Sequence, residues 1–141
     1  MKLEKVLYRG KGKATGGRDG RATTVDGGME LKLVVPKEMG GSGAKGSNPE
    51  ELFAAGYSAC FIGAMKFVAG QQKLKLPDDT NIEGSVGIGP IPGGFGLEVE
   101  LKINVPGMDK EQVQAIVEKA HTVCPYSNAT RNNIEVKLTV V

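Results

Sequence analysis

The chain has no tryptophan, and its aromatic residues amount to four phenylalanines and three tyrosines in 141 positions. Large anchors for a core are therefore confined to Phe53, Phe61, Phe67, Phe95 and the tyrosines, and a core this light in aromatics is expected to draw on a partner chain. Histidine occurs once, so His121-x-x-Cys124 offers two ligands where a structural zinc site needs four, which argues against a metal centre. Neither sign of charge dominates. Eighteen basic and sixteen acidic side chains are interspersed, leaving no electrostatic footprint for nucleic acid. No charged-then-apolar leader with a cleavage site opens the chain, and the longest apolar stretch, Leu52 to Ala69, is interrupted by Lys66. These absences lead us to expect a soluble, cytoplasmic protein with no membrane partner. In that reducing compartment, two cysteines are expected to be free, catalytic or redox-active rather than a static staple.

Glycine is abundant, at twenty-one residues, and it punctuates the chain. The length suits one domain spanning residues 1–141, or one subunit of an obligate oligomer. Leu3 to Tyr8 is compatible with a strand. Gly16-Gly17-Arg18-Asp19-Gly20 reads as a turn, and Met29, Leu31, Leu33 and Val35 alternate with Glu30, Lys32 and Val34 as in a half-buried strand. Pro36 to Gly46 reads as a long flexible connection. A helix start follows at Ser47-Asn48-Pro49-Glu50-Glu51: Asn48 can cap, Pro49 suits the first helical position, and Glu51 stands where it can reach back to the cap. This helix is expected to run to about Gly70 as a central buried element. Its small residues at Ala54, Ala55, Ser58, Ala59, Gly63 and Ala64 admit close approach by another backbone.

Beyond a polar turn at Pro77-Asp78-Asp79, Ile82, Val86 and Ile88 suggest a strand, with a turn over Gly89 to Gly94. Leu97, Val99, Leu101, Ile103 and Val105 alternate with polar residues, the best period-two signal in the chain and the mark of a half-buried antiparallel strand. Asp109 to Val123 reads as a second helix, with Asp109 as cap and Val113, Ile116, Val117 and Ala120 at helical spacing. Ile134, Val136, Leu138 and Val140 close with another strand. The order of elements argues an α+β fold, with sheet packed on two helices.

The candidate chemistry centres on Cys60, inside the apolar run Phe53 to Met65, and Cys124, in His121-Thr122-Val123-Cys124-Pro125-Tyr126-Ser127. Both fit small packing residues, and both fit a nucleophile with its resolving partner. A reactive thiolate needs a cation to offset burial, and Arg18, projecting from its glycine-rich turn, is a candidate. Glu50 is the carboxylate that can orient that arginine, although an acid in a first helical turn also suits the helix dipole. Ten residues along one helix separate Glu50 from Cys60 by about 15 Å, more than one guanidinium spans. Either the arginine contacts only one of them, or Arg18 and Glu50 act on a cysteine of a second chain; the small-residue face of the helix favours the second, so we expect a composite site at a dimer interface, with Arg18 and Glu50 of one subunit facing Cys60 of the other. Cys124 ends its helix before Pro125, where the dipole disfavours a thiolate, so it suits a resolving role better than an attacking one; a buried packing cysteine is the competing reading. His121 reads as a surface or packing residue rather than a base.

Four stretches resemble the Ohr/OsmC family, and within it the Ohr branch of organic hydroperoxide resistance proteins: Gly16 to Ala22, Asn48 to Phe61, Ile91 to Leu97 and His121 to Arg131. The likeness spans essentially the whole chain. The resemblance implies an OsmC-like α+β fold, with antiparallel sheets packed around two central helices in an intertwined homodimer. It also implies a thiol peroxidase that reduces organic hydroperoxides to alcohols without metal, flavin or haem. Carried over by position, Cys60 is the peroxidatic cysteine, Cys124 the resolving cysteine with which it forms a disulfide, and Arg18 and Glu50 the activating pair. An apolar surround of Phe53, Phe61, Met65, Ile91 and Phe95 would favour alkyl or lipid hydroperoxides. The resemblance points to dihydrolipoamide groups of lipoylated proteins as reductant, rather than thioredoxin. The alternatives are a non-catalytic thiol redox sensor and a structural dimer.

Overall fold

The computed structural model describes residues 1–141, which form two compact units, Met1–Pro49 and Glu50–Val141. In the first unit, β1 (Gly12–Thr15), β2 (Arg21–Thr24) and β3 (Glu30–Lys32) make an antiparallel meander in that order. The β1–β2 connection is a tight 3-10 turn over Gly17–Asp19, entered through Gly16 and Gly17 at φ 71° and 62°, a backbone region that suits glycine. The β2–β3 turn is closed by side chains: Thr24 Oγ1 accepts from the Met29 N–H at 2.8 Å, and Asp26 Oδ1 from the Gly28 N–H at 3.0 Å. Residues 3–8 take part in no ladder, because no strand of this chain pairs with them, and Leu3, Leu7 and Tyr8 are exposed. The expected strand at Leu3 to Tyr8 is therefore absent from the single chain. The expected flexible connection at Pro36–Gly46 is held by local bonds instead: a 3-10 turn over Lys37–Met39, and backbone bonds from Ser47 to Lys32 and from Val34 to Ser47.

The second unit is built on α1 (Pro49–Gln71), β4 (Asn81–Ile91), β5 (Gly94–Asn104), α2 (Lys110–Val123), α3 (Pro125–Thr130) and β6 (Val136–Val140). β4 and β5 form a long antiparallel hairpin turned by Pro92-Gly93, tighter than the turn expected over Gly89 to Gly94. β6 joins the other edge of β5 in parallel, after a crossover that contains α2 and α3. The α+β class is as expected, with two corrections: this sheet is mixed rather than wholly antiparallel, and a third helix follows the second. The parallel pairing follows from the crossover, since two helices between β5 and β6 carry the chain back to its starting end. α2 is capped as its sequence indicates, with Asp109 Oδ2 accepting from the Gln112 N–H at 3.3 Å.

One face of the sheet meets the helices. Val99, Leu101 and Ile103 of β5, Tyr57, Phe61, Met65 and Val68 of α1, and Val113, Ile116, Val117 and Ala120 of α2 share a single core. On length and composition α1 would also suffice to cross a bilayer. Its buried Tyr57 and Ser58 and its mid-run Lys66 give it the pattern of a central core helix.

The small residues of α1 admit β4 closely, as their pattern suggests. A Cβ added at Gly84 would stand 2.6 Å from Ser58 Oγ and 2.9 Å from the Ala54 carbonyl oxygen. Because that carbonyl belongs to the helix backbone, it cannot swing aside. Gly84→Ala is expected to lower stability by about 1–3 kcal/mol. Urea unfolding followed by circular dichroism measures this, and a midpoint equal to wild type would show that the approach is looser.

Candidate active site

The helix starting at Pro49 carries Cys60 in its middle turns, while Cys124 occupies the corner between α2 and α3. That corner follows from one residue. Pro125 disfavours helical geometry in the residue before it, and Cys124 adopts φ −59°, ψ 124°. Its N–H still closes α2 on Ala120 O at 2.8 Å, and its carbonyl opens α3 by accepting from the Asn128 N–H at 2.9 Å. Cys124 is therefore both the end of one helix and the start of the next. This corrects the dipole argument for its role: the negative end of α2 and the positive end of α3 meet at the same residue and oppose one another.

The corner brings the two cysteines together. The sulfurs of Cys124 and Cys60 lie 3.7 Å apart, with no disulfide bond between them. What makes them unequal is exposure. Cys124 is fully buried, whereas Cys60 is only partly so. Burial pushes the Cys60 thiol up from its ordinary value; the backbone N–H of Tyr126, in the first turn of α3, acts the other way, and Cys124 adds to the rise. Burial prevails, which favours the neutral thiol at Cys60.

Among the other expected site residues, Glu50 lies in the first turn of α1 and is partly buried. Arg18 lies in the 3-10 turn of the first unit, also partly buried. Phe53 packs edge-on against Tyr57 and Tyr126, with ring centroids 6.2 and 6.1 Å away. Phe61 and Met65, expected to line a pocket, are wholly enclosed in the core that also holds Cys124, so they back the cysteines from within rather than offer a surface to a ligand. Ile91 and Phe95 flank the tip of the β4–β5 hairpin and are 54% and 77% exposed.

A polar cluster beside the cysteines escaped the reading of the sequence. Ser127 Oγ lies 2.8 Å from the Tyr57 hydroxyl and 2.8 Å from His121 Nδ1, and Thr130 Oγ1 lies 3.2 Å from the same tyrosine. Arg131 donates to the His121 carbonyl at 2.8 Å and to Asn128 Oδ1, tying α3 to the end of α2. His121 is thus a half-buried member of a network rather than a plain surface histidine. Burial, and then the Arg131 charge, hold its pKa below the ordinary value.

The model of OsmC-like proteins matches residues 41–139. The chain is 64% identical over 137 residues to the organic hydroperoxide resistance protein of Xanthomonas axonopodis pv. citri, covering 97% of this chain and 96% of that one. It belongs to the OsmC family. Among solved structures, the organic hydroperoxide resistance protein of Elizabethkingia anophelis superposes with a TM-score of 0.89 at 53% identity, covering 96% of this chain and 97% of that one. OhrB of Bacillus subtilis superposes with a TM-score of 0.87 at 43% identity, covering 96% and 100%. The OsmC match takes in Glu50 and both cysteines, and the longer pairwise likenesses reach into the first unit.

The lowered pKa of His121 fixes the sign of a pH effect. Below the ordinary value of 6.5 the unfolded chain takes up a proton that the folded chain resists, so stability falls as pH drops through that range. Urea unfolding between about pH 8 and pH 5 is expected to show this loss in the wild type and a shallower one in His121→Asn. Equal slopes would show that His121 does not titrate differently on folding.

Proposed function

We propose that this OsmC-family chain is a cysteine peroxidase that reduces organic hydroperoxides to alcohols. The observation that carries the reading is the 3.7 Å contact between a partly exposed and a buried thiol, in a chain so similar to proteins named for organic hydroperoxide resistance. Closing that gap to the bond length of about 2.05 Å takes a movement of about 1.7 Å, within the reach of side-chain rotation and a small shift of the corner.

In this mechanism Cys60, as thiolate, attacks the distal peroxide oxygen. The O–O bond breaks, the alkoxide leaves and takes a proton as alcohol, and Cys60 becomes a sulfenic acid. Cys124 then attacks the Cys60 sulfur, forming the disulfide and expelling the hydroxyl as water. Arg18 supplies the charge that offsets burial of Cys60, and Glu50 holds the guanidinium in orientation. Because Glu50 and Cys60 are separated by about 15 Å along α1, Arg18 and Glu50 serve the cysteine of a second chain in a homodimer, and residues 1–141 work as one domain within it. Phe53 and the exposed Ile91 and Phe95 favour alkyl and lipid hydroperoxides over hydrogen peroxide. A dithiol of the dihydrolipoamide type reduces the disulfide by two exchanges, in the cytoplasm.

Turnover of cumene hydroperoxide with dihydrolipoamide tests this reading. Cys60→Ser is expected to abolish it, and Cys124→Ser to stop after about two equivalents of peroxide, the first giving the Cys60 sulfenic acid and the second the over-oxidised sulfinic acid. Arg18→Ala is expected to lower kcat/KM about 100-fold. A single stoichiometric oxidation of the wild type, with no turnover, would identify a sensor instead.

A further inference from the structure

The polar cluster stands in a regular relation to the two sulfurs. Tyr57 precedes Cys60 by three residues on α1, Ser127 follows Cys124 by three, and His121 precedes Cys124 by three. Each polar group is therefore about one helical turn from a cysteine. The 2.8 Å contact between the Tyr57 and Ser127 hydroxyls joins the same two elements as the 3.7 Å sulfur contact, α1 and the Cys124 corner with its helix.

The hydrogen bonds also have a direction. Thr130 Oγ1 donates to the Ser127 carbonyl at 3.3 Å, so its one proton is committed there. Tyr57 must then donate to Thr130, Ser127 to Tyr57, and the Nδ1–H of His121 to Ser127. This single ordering satisfies all four contacts. Tyr57 and Ser127 are fully buried and Thr130 nearly so, so a broken link leaves a hydroxyl with no water to turn to. A chain of this kind tolerates little sliding, whereas an apolar contact in its place would slide.

We propose that the His121–Ser127–Tyr57–Thr130 chain is a ruler that fixes the distance between α1 and the Cys124 corner, making these four positioning residues for closure of the Cys60–Cys124 disulfide. None of them touches a sulfur in any hydrogen bond described above. Their effect acts through α3, which begins at Cys124. The proposal rests on the reading of the two cysteines as a disulfide-forming pair, and its test dispenses with hydroperoxide so that the two can fail separately.

The probe is 5,5′-dithiobis(2-nitrobenzoate), mixed in stopped flow with the full-length reduced protein. Cys60 thiolate attacks the reagent disulfide, releasing one thionitrobenzoate and leaving a mixed disulfide. Cys124 loses its proton to solvent and attacks the Cys60 sulfur, so the Cys60–Cys124 disulfide forms and a second thionitrobenzoate leaves. The first phase depends on reagent concentration; the second does not. Tyr57→Phe and Ser127→Ala are expected to slow the second phase about tenfold or more, as misplacement of reacting atoms does, while the first changes less than about twofold. His121→Ala is expected to do the same, and it supplies the measurement if a buried hydroxyl variant does not fold. His121→Asn, whose amide N–H stands near the Nδ1 position, is expected to restore the rate. A second phase at wild-type rate in the variants that fold, equal slowing of both phases, or no rescue by asparagine would overturn the proposal.

Discussion

The site depends on a single backbone constraint, the steric bias of the residue before Pro125 away from helical geometry. Without it α2 would continue, and Cys124, Tyr126 and Ser127 would fan around a helix at steps of about 100°. With it, the chain bends at Cys124 and restarts as α3. The thiol, the Tyr126 N–H and the Ser127 hydroxyl then all reach α1, the first two at Cys60 and the third at Tyr57. The bend costs no unpaired backbone group at Cys124, since its N–H serves the outgoing helix and its carbonyl the incoming one.

Packing and reactivity pull against each other at this point. Cys124 lies in the same core as Phe61, Met65 and Ile116, and Cys60 packs against that core. Such surroundings favour the neutral thiol, and the rise in the Cys60 pKa reflects this. The single amide of Tyr126 offsets part of the effect. A fixed positive charge is the natural remainder, which is why an arginine carries so much of the chemistry proposed for this chain. Nature's other option, an exposed cysteine, would give up the close contact with a resolving partner.

The sequence was most legible where periodicity or capping chemistry acts locally. Asp109 and the 3.6-residue spacing of Val113, Ile116, Val117 and Ala120 located α2, and alternation from Leu97 to Ile103 located β5. Local pattern says little about which strand meets which, so the parallel neighbour of β5 could not be read. The six residues of α3 are too few to show a period, and Pro125 looked like an end rather than a beginning. Leu3 to Tyr8 has the composition of a strand, but composition does not supply a pairing edge. At the site, the cysteines stood out because the residue type is scarce. Tyr57, Ser127 and Thr130 did not, because a buried hydroxyl is recognisable only once its partners, seventy or more positions away, are known.

The parallel pairing of β5 with β6 also bears on when the site comes into being. A parallel neighbour cannot zip from a short turn; its crossover must first be laid down and docked. Here the crossover itself contains Cys124, while Cys60 precedes β4, so the sulfurs are far apart along the chain and their proximity waits on long-range assembly. During synthesis, Cys60 and the β4–β5 hairpin emerge well before the corner that answers them. The sulfur contact joins residues 64 positions apart, so it is made only once the Cys124 corner has docked on α1.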